Sequence, residues 1–134
     1  MAEVLLNAYE LTVYSWGALA LLLLVQLIIA DVMGIKLKHV PGTPPDANHG
    51  NPLFRASRTV ANTNESIALY IIVSLFCVFN GADPTYTGYL SWAYVVGRVV
   101  YALCYYFNQP TMRSASFGVT LLVLLGMLIV GGLA

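Results

Sequence analysis

Apolar residues in this chain do not alternate with polar ones. They run in long blocks, and four of these stand out. The first covers residues 11–33, centred on the aliphatic run Ala18–Val25. The second covers 57–80, polar at its start and apolar from Ile67 onward. The third covers 85–107 and the fourth 112–133. About 20 apolar residues cross a bilayer as a helix, whereas the strands of a membrane barrel alternate with a period of two. The pattern predicts an all-α integral membrane protein, an antiparallel bundle of four transmembrane helices forming a single domain over residues 1–134. Glu3 and Glu10 precede the first block without any Lys or Arg. Its apolar run is also too long for a secretory leader, so it is expected to be a retained helix.

The connections between blocks are unequal. Residues 34–55 hold Lys36, Lys38, His39, Asp46 and His49 together with Pro41, Pro44, Pro45 and Pro52, a composition that predicts an irregular loop. Residues 81–84 and 108–111 are short enough to be tight turns, which makes the last three helices antiparallel neighbours.

Only 9% of the residues are charged, against about 25% in soluble domains. Formal net charge is zero, and this balance offers nothing to a nucleic acid. The basic residues are nevertheless sided. Lys36, Lys38, Arg55 and Arg58 flank the first loop and Arg113 flanks the third, while Arg98 lies inside the third block. The positive-inside rule then puts those two loops in the cytoplasm and both termini on the far side.

Polar residues inside the blocks carry the candidate chemistry. Arg55, Arg58, Asn62 and Glu65 are spaced three, four and three apart, which stacks them on one helix face. Tyr94, Arg98, Tyr101 and Tyr105 repeat that arrangement in the third block. Counting about 1.5 Å per residue, Glu65 and Arg98 both lie roughly 12–13 Å below the cytoplasmic surface. Opposite charges at one depth in a bilayer are expected to pair, here to fix the register of the second and third helices. Arg113, Lys36 and Lys38 reach the same leaflet. Tyr14, Tyr70, Tyr86, Tyr89 and Tyr106 read as interfacial anchors. Cys77 and Cys104 fall near opposite membrane faces, too far apart for a disulfide within one chain. His39 and His49 lack the partners of a metal motif, and no Gly-rich phosphate loop is present.

Guanidinium groups suit carboxylates, so the basic cluster points to a small polyanionic ligand entering from the cytoplasm. Asn62 fits an amide or carboxylate, and Glu65 an ammonium or amide N–H. The cluster borders the acyl region, which lets a lipophilic second substrate arrive laterally. A transporter that uses Glu65 and Arg98 as a coupling pair is the other reading of the same residues. Transporters commonly show inverted repeats or broken helices, and no internal repeat is visible.

Arg-x-x-x-Asn-x-x-Glu, with a second Arg three residues earlier, resembles the signature of the MAPEG family, the membrane-associated proteins in eicosanoid and glutathione metabolism. Arg55, Arg58, Asn62 and Glu65 match its four positions. Val96-Gly97-Arg98-Val99, Tyr105 and Arg113-Ser114 are similar to segments of the family's third and fourth helices. The resemblance covers the whole chain in length, helix count and motif order. It implies a homotrimer with glutathione bound between subunits near the cytoplasmic face. Arg55, Arg58, Asn62, Glu65, Arg98, Tyr101, Tyr105 and Lys38 would hold glutathione, and Arg113 with Ser114 would act on its thiolate. The implied activity is transferase or peroxidase chemistry on lipophilic electrophiles, with lipid-peroxide isomerisation as the related alternative. The chain departs from several relatives at Ala61, where they carry a basic residue before the Asn. It also departs at Ser66 and at Asn108-Gln109.

Overall fold

A computed structural model of the chain, describing residues 2–134, is helical throughout apart from loops and turns. A short helix α1 (Ala2–Ala8) leads into α2 (Glu10–Lys36), followed by α3 (Pro52–Phe79), α4 (Pro84–Tyr106) and α5 (Pro110–Gly132). The four long helices correspond to the four predicted blocks. α3 begins five residues before the predicted start at residue 57. Pro52, read as a loop residue, is the first residue of the helix, and Asn51 caps it by accepting from the Leu53 N–H at 2.9 Å. Proline suits that position because its missing N–H has no helical partner there and its φ is already helical.

The helix ends follow one recipe. α2, α3 and α4 each stop at a residue with positive φ: Lys38 (51°), Gly81 (70°) and Asn108 (54°). In each case the following N–H turns back to a carbonyl five residues earlier: His39 to Gly34, Ala82 to Cys77, and Gln109 to Cys104. This paired closure satisfies carbonyls that the helix end leaves open. α3, α4 and α5 then each start on a proline. Asp83 caps α4 through the N–H groups of Thr85 and Tyr86. Between α3 and α4 and between α4 and α5, stop and start are thus compressed into turns short enough to force antiparallel packing.

α2, α3 and α5 are each long and apolar enough to cross a membrane. α4 has 23 residues, about 35 Å of helix, but carries a polar stripe that lowers its mean hydropathy. That stripe points inward: Ser91, Tyr94, Arg98, Tyr101 and Tyr105 are all buried. The outside of the bundle is a continuous coat of exposed Leu, Ile, Val and Phe, a surface that suits lipid and not water.

The core gathers Leu19, Tyr70, Val73, Cys77, Tyr94, Val95, Leu124 and Met127. Tyr70 was expected at the membrane interface, but it is fully buried and stacks on Tyr94 at 4.1 Å with the rings nearly parallel. Ser15 meets the Tyr70 hydroxyl at 2.5 Å and Ser66 meets that of Tyr94 at 2.7 Å. Buried tyrosines need such partners, and a count along the chain does not reveal them. Tyr14, Tyr86 and Tyr89 are exposed, as expected. Cys77 and Cys104 are both free thiols.

α3 and α5 are fastened at one end. Cys77 Sγ donates to the Met127 carbonyl and Asn80 Nδ2 to the Gly131 carbonyl, both at 3.1 Å. Gly131 permits this approach, since a Cβ there would lie 2.8 Å from the Phe76 ring. Tyr9 adds a bond from its hydroxyl to the Ala82 carbonyl. Both termini of the bundle therefore meet the α3–α4 turn. The opposite end carries the long loop, the α4–α5 turn and the basic residues.

Candidate functional site

At the basic end a cavity of about 170 Å³ lies between Asn62 on α3, Tyr101 on α4, and Arg113, Ser114 and Phe117 on α5. Proline at the start of α5 places Arg113 and Ser114 in that helix's first turn. Phe117 stands one turn further along, on the same face as Arg113.

Arg98 lies beneath the cavity and is fully buried. Its Nη2 donates to Asn62 Oδ1 at 2.7 Å and to Thr63 Oγ1 at 3.2 Å. Its guanidinium lies 4.4 Å from the centre of the Tyr101 ring. Asn62 is a bridge, because its Nδ2 donates in turn to Glu65 Oε2 at 3.3 Å. Glu65 Oε1 pairs with Arg58 Nη2 at 3.5 Å.

The expected Glu65–Arg98 ion pair is therefore not formed. Among the described residues the one ion pair is Arg58–Glu65. Depth was the wrong coordinate on its own. Seven residues separate Arg58 from Glu65, nearly two whole helical turns, so the two share a direction and both side chains are substantially exposed, at 40% and 57%. Arg98 faces the interior, and Asn62 connects the two environments.

A second layer covers the mouth. The Arg113 guanidinium lies 4.4 Å from the centre of the Tyr105 ring. The His49 imidazole stacks on the same ring at 6.3 Å with 15° between planes, and meets Phe54 edge-on at 5.1 Å. Arg55 secures that loop by donating from Nη1 to the His49 carbonyl at 2.6 Å. Tyr101 and Tyr105 meet edge to face at 5.3 Å, and Tyr101 packs against Phe117 at 6.1 Å.

The sequence-predicted residues thus divide. Asn62, Tyr101, Arg113 and Ser114 line the cavity, and Arg98, Tyr105, Arg58 and Glu65 surround it through the contacts above. Arg55 joins them through the loop. Lys38 does not: it is exposed, forms the left-handed stop after α2, and makes no side-chain hydrogen bond or ion pair among the described residues. His49, Thr63 and Phe117 were missed. Phe117 could have been found at four residues after Arg113, one helical turn. Thr63 and His49 are placed by packing and by the loop's path, and nothing in their spacing marks them.

Several guanidinium nitrogens here are buried without a protein acceptor: Arg98 Nε and Nη1, Arg113 Nη1 and Arg55 Nε. Donors left bare away from water are costly, and acidic ligand groups would supply what they lack. Ser114 Oγ donates to the Pro110 carbonyl at 3.2 Å and stands at the cavity wall.

Fold and site together define a helical membrane protein with an arginine-rich pocket at one end of the bundle. Residues 12–133 match the MAPEG family. The chain belongs to that family of membrane proteins in glutathione and eicosanoid metabolism. A comparison with curated protein sequences finds no match.

Proposed function

We propose that this protein is a glutathione-dependent membrane transferase or peroxidase acting on lipophilic electrophiles. The observation that carries this reading is the cavity where Asn62, Arg113 and Ser114 meet the aromatic wall of Tyr101 and Phe117, with unpartnered guanidinium N–H groups behind it. In this reading α2–α5 form a four-helix transmembrane domain over residues 1–134. Three such chains assemble as a homotrimer in the lipid bilayer. The basic end faces the cytoplasm, and both termini lie on the other side.

Glutathione supplies the nucleophile, a sulfur that as thiolate attacks an electrophilic carbon or a hydroperoxide oxygen. A free thiol has a pKa near 8.5 and is mostly protonated at neutral pH. Arg113 favours the anion by its fixed positive charge. Tyr105, beneath the Arg113 guanidinium, keeps that plane oriented. Ser114 is close enough to turn its hydroxyl from Pro110 into the cavity as a second donor. Arg55 and Arg58 hold carboxylates at the mouth, while Asn62 offers an amide at the wall. Tyr101 and Phe117 give the lipophilic substrate an apolar surface that excludes water from the reacting sulfur. Lys38, exposed beyond the end of α2, contributes attraction from a distance.

Calorimetry with the purified protein and glutathione, together with the ultraviolet absorbance of the thiolate, tests this. Binding is expected, with a thiolate signal at neutral pH. Arg113→Leu is expected to abolish the signal while glutathione still binds. No binding at millimolar glutathione would rule the reading out.

A further inference from the structure

We propose that a bound water molecule inside the helix bundle links Gln26 of α2 to Arg98 of α4. The proposal does not depend on which ligand occupies the cavity.

α2 is apolar on its outside and mostly polar on its inside. Its buried residues are Thr12, Ser15, Leu19 and Gln26. Gln26 belongs to a run of leucine, isoleucine and valine, yet it is turned away from lipid and is only 1% exposed. Neither its oxygen Oε1 nor its nitrogen Nε2 has a protein partner. Arg98 shares that condition. It is fully buried, and its Nε and Nη1 lack an acceptor while Nη2 serves Asn62 and Thr63. Polar groups left bare inside a protein are costly.

Packing brings the two residues to one level. α2 packs against α3 and α4, so a side chain buried from α2 faces those helices. Across the α2–α3 interface Ser15 meets Tyr70 and Trp16 donates to Ser74. Counting onward along α2 and back along α3 places Gln26 beside residues 59–64. Thr63, in that stretch, accepts from Arg98. α4 runs in the same direction as α2, and a Cβ on Gly88 would lie 2.8 Å from Leu11 Cβ. The same count on these two helices sets Gln26 level with Leu103, about 7.5 Å along the axis from Arg98. Two long side chains nearly close that gap, and one water completes it.

The chemistry selects water. Arg98 has only donors to give, whereas Gln26 Oε1 only accepts. A water accepts from the first and donates to the second, and buried waters take about two to four polar partners. A halide would satisfy the guanidinium but leave Oε1 facing a negative charge. A second chain or a lipid reaches neither residue, because both are enclosed by their own chain. A ligand in the cavity meets Arg113 at its wall, whereas Arg98 stands behind Asn62 and Tyr101. The water thereby ties a third helix, α2, to the hydrogen bonds that hold Asn62.

Two measurements on the full chain test this. In lipid bilayers, solid-state NMR of nitrogen-labelled protein should show magnetisation passing from water to Arg98 Nε and Gln26 Nε2. In detergent, Gln26→Leu should lower the unfolding midpoint by about 5 °C, since it removes the acceptor and leaves the guanidinium bare. Were Gln26 merely an unpaired amide, the apolar replacement would raise the midpoint instead. A midpoint at or above that of the parent overturns the proposal. So does a spectrum in which water reaches exposed side chains but not Arg98. An anomalous bromide peak beside Arg98 in halide-soaked crystals overturns it in favour of an anion. The NMR measurement uses the parent protein, so it decides even where Gln26→Leu fails to fold.

Discussion

Arg98 donates to Asn62 across the α3–α4 interface at 2.7 Å, and that bond joins a fully buried cation to the half-exposed Arg58–Glu65 pair. Asn62 faces two ways, with its oxygen toward the interior charge and its nitrogen toward the outer carboxylate. A neutral amide thus does what a direct ion pair was expected to do.

Removing Asn62 should harm the fold more than removing the charge it holds. Asn62→Ala leaves the Arg98 guanidinium buried with Thr63 as its remaining hydrogen-bond partner, and an uncompensated buried charge costs about 3 kcal/mol or more. Arg98→Met removes charge and demand together and should cost less. Thermal unfolding in detergent checks the order, and the double variant should be no less stable than Asn62→Ala alone. An Arg98→Met protein less stable than Asn62→Ala would show that the guanidinium adds net stability.

Arg58 and Glu65 should behave differently. Exposed ion pairs contribute about 0–1 kcal/mol, so Arg58→Met and Glu65→Gln should unfold within a few degrees of the parent. Ligand affinity should fall in both. A large stability loss in either variant would mean the pair is covered in the assembled protein.

His49 gives a test of the loop. An aromatic contact is worth about 0.5–1.5 kcal/mol, so His49→Ala should weaken glutathione binding about two- to tenfold by loosening Tyr105 and, through it, Arg113. His49→Phe keeps a ring in place and should restore most of the loss. If Phe fails to rescue, the imidazole nitrogens matter and the stack does not.

Gly131→Ala places a methyl 2.8 Å from the Phe76 ring and should destabilise the protein by about 1–3 kcal/mol, the usual range for overpacking. Phe76→Leu in the same chain should relieve much of that. Ligand binding at the far end should be nearly unchanged, which an affinity measurement on the stable fraction would check.

Blocks of apolar residues made the four long helices legible, and three of them are long and apolar enough to cross a membrane. The stripes were legible too, since helical spacing alone puts Asn62, Arg98, Tyr101, Tyr105 and Arg113 at one end of the bundle. What escaped was rotation about each helix axis. Depth matched Glu65 to Arg98, but direction matched Glu65 to Arg58, and only packing decides direction. Tyr70 escaped for the same reason: a tyrosine suits an interface and a core equally until its neighbours are known. Pro52 was a different kind of miss, since Asn51-Pro52 is a helix start that the surrounding prolines disguised. His49 was beyond reach, because a loop's path is not periodic.

The fastening of α3 to α5 at Gly131, Asn80 and Cys77 lies at the end of the bundle away from the cavity. The clasp and the cavity thus share no residue. In the proposed reading, substitutions around Ala61, Phe117 or the loop would change which molecules are accepted and leave the clasp between α3 and α5 in place.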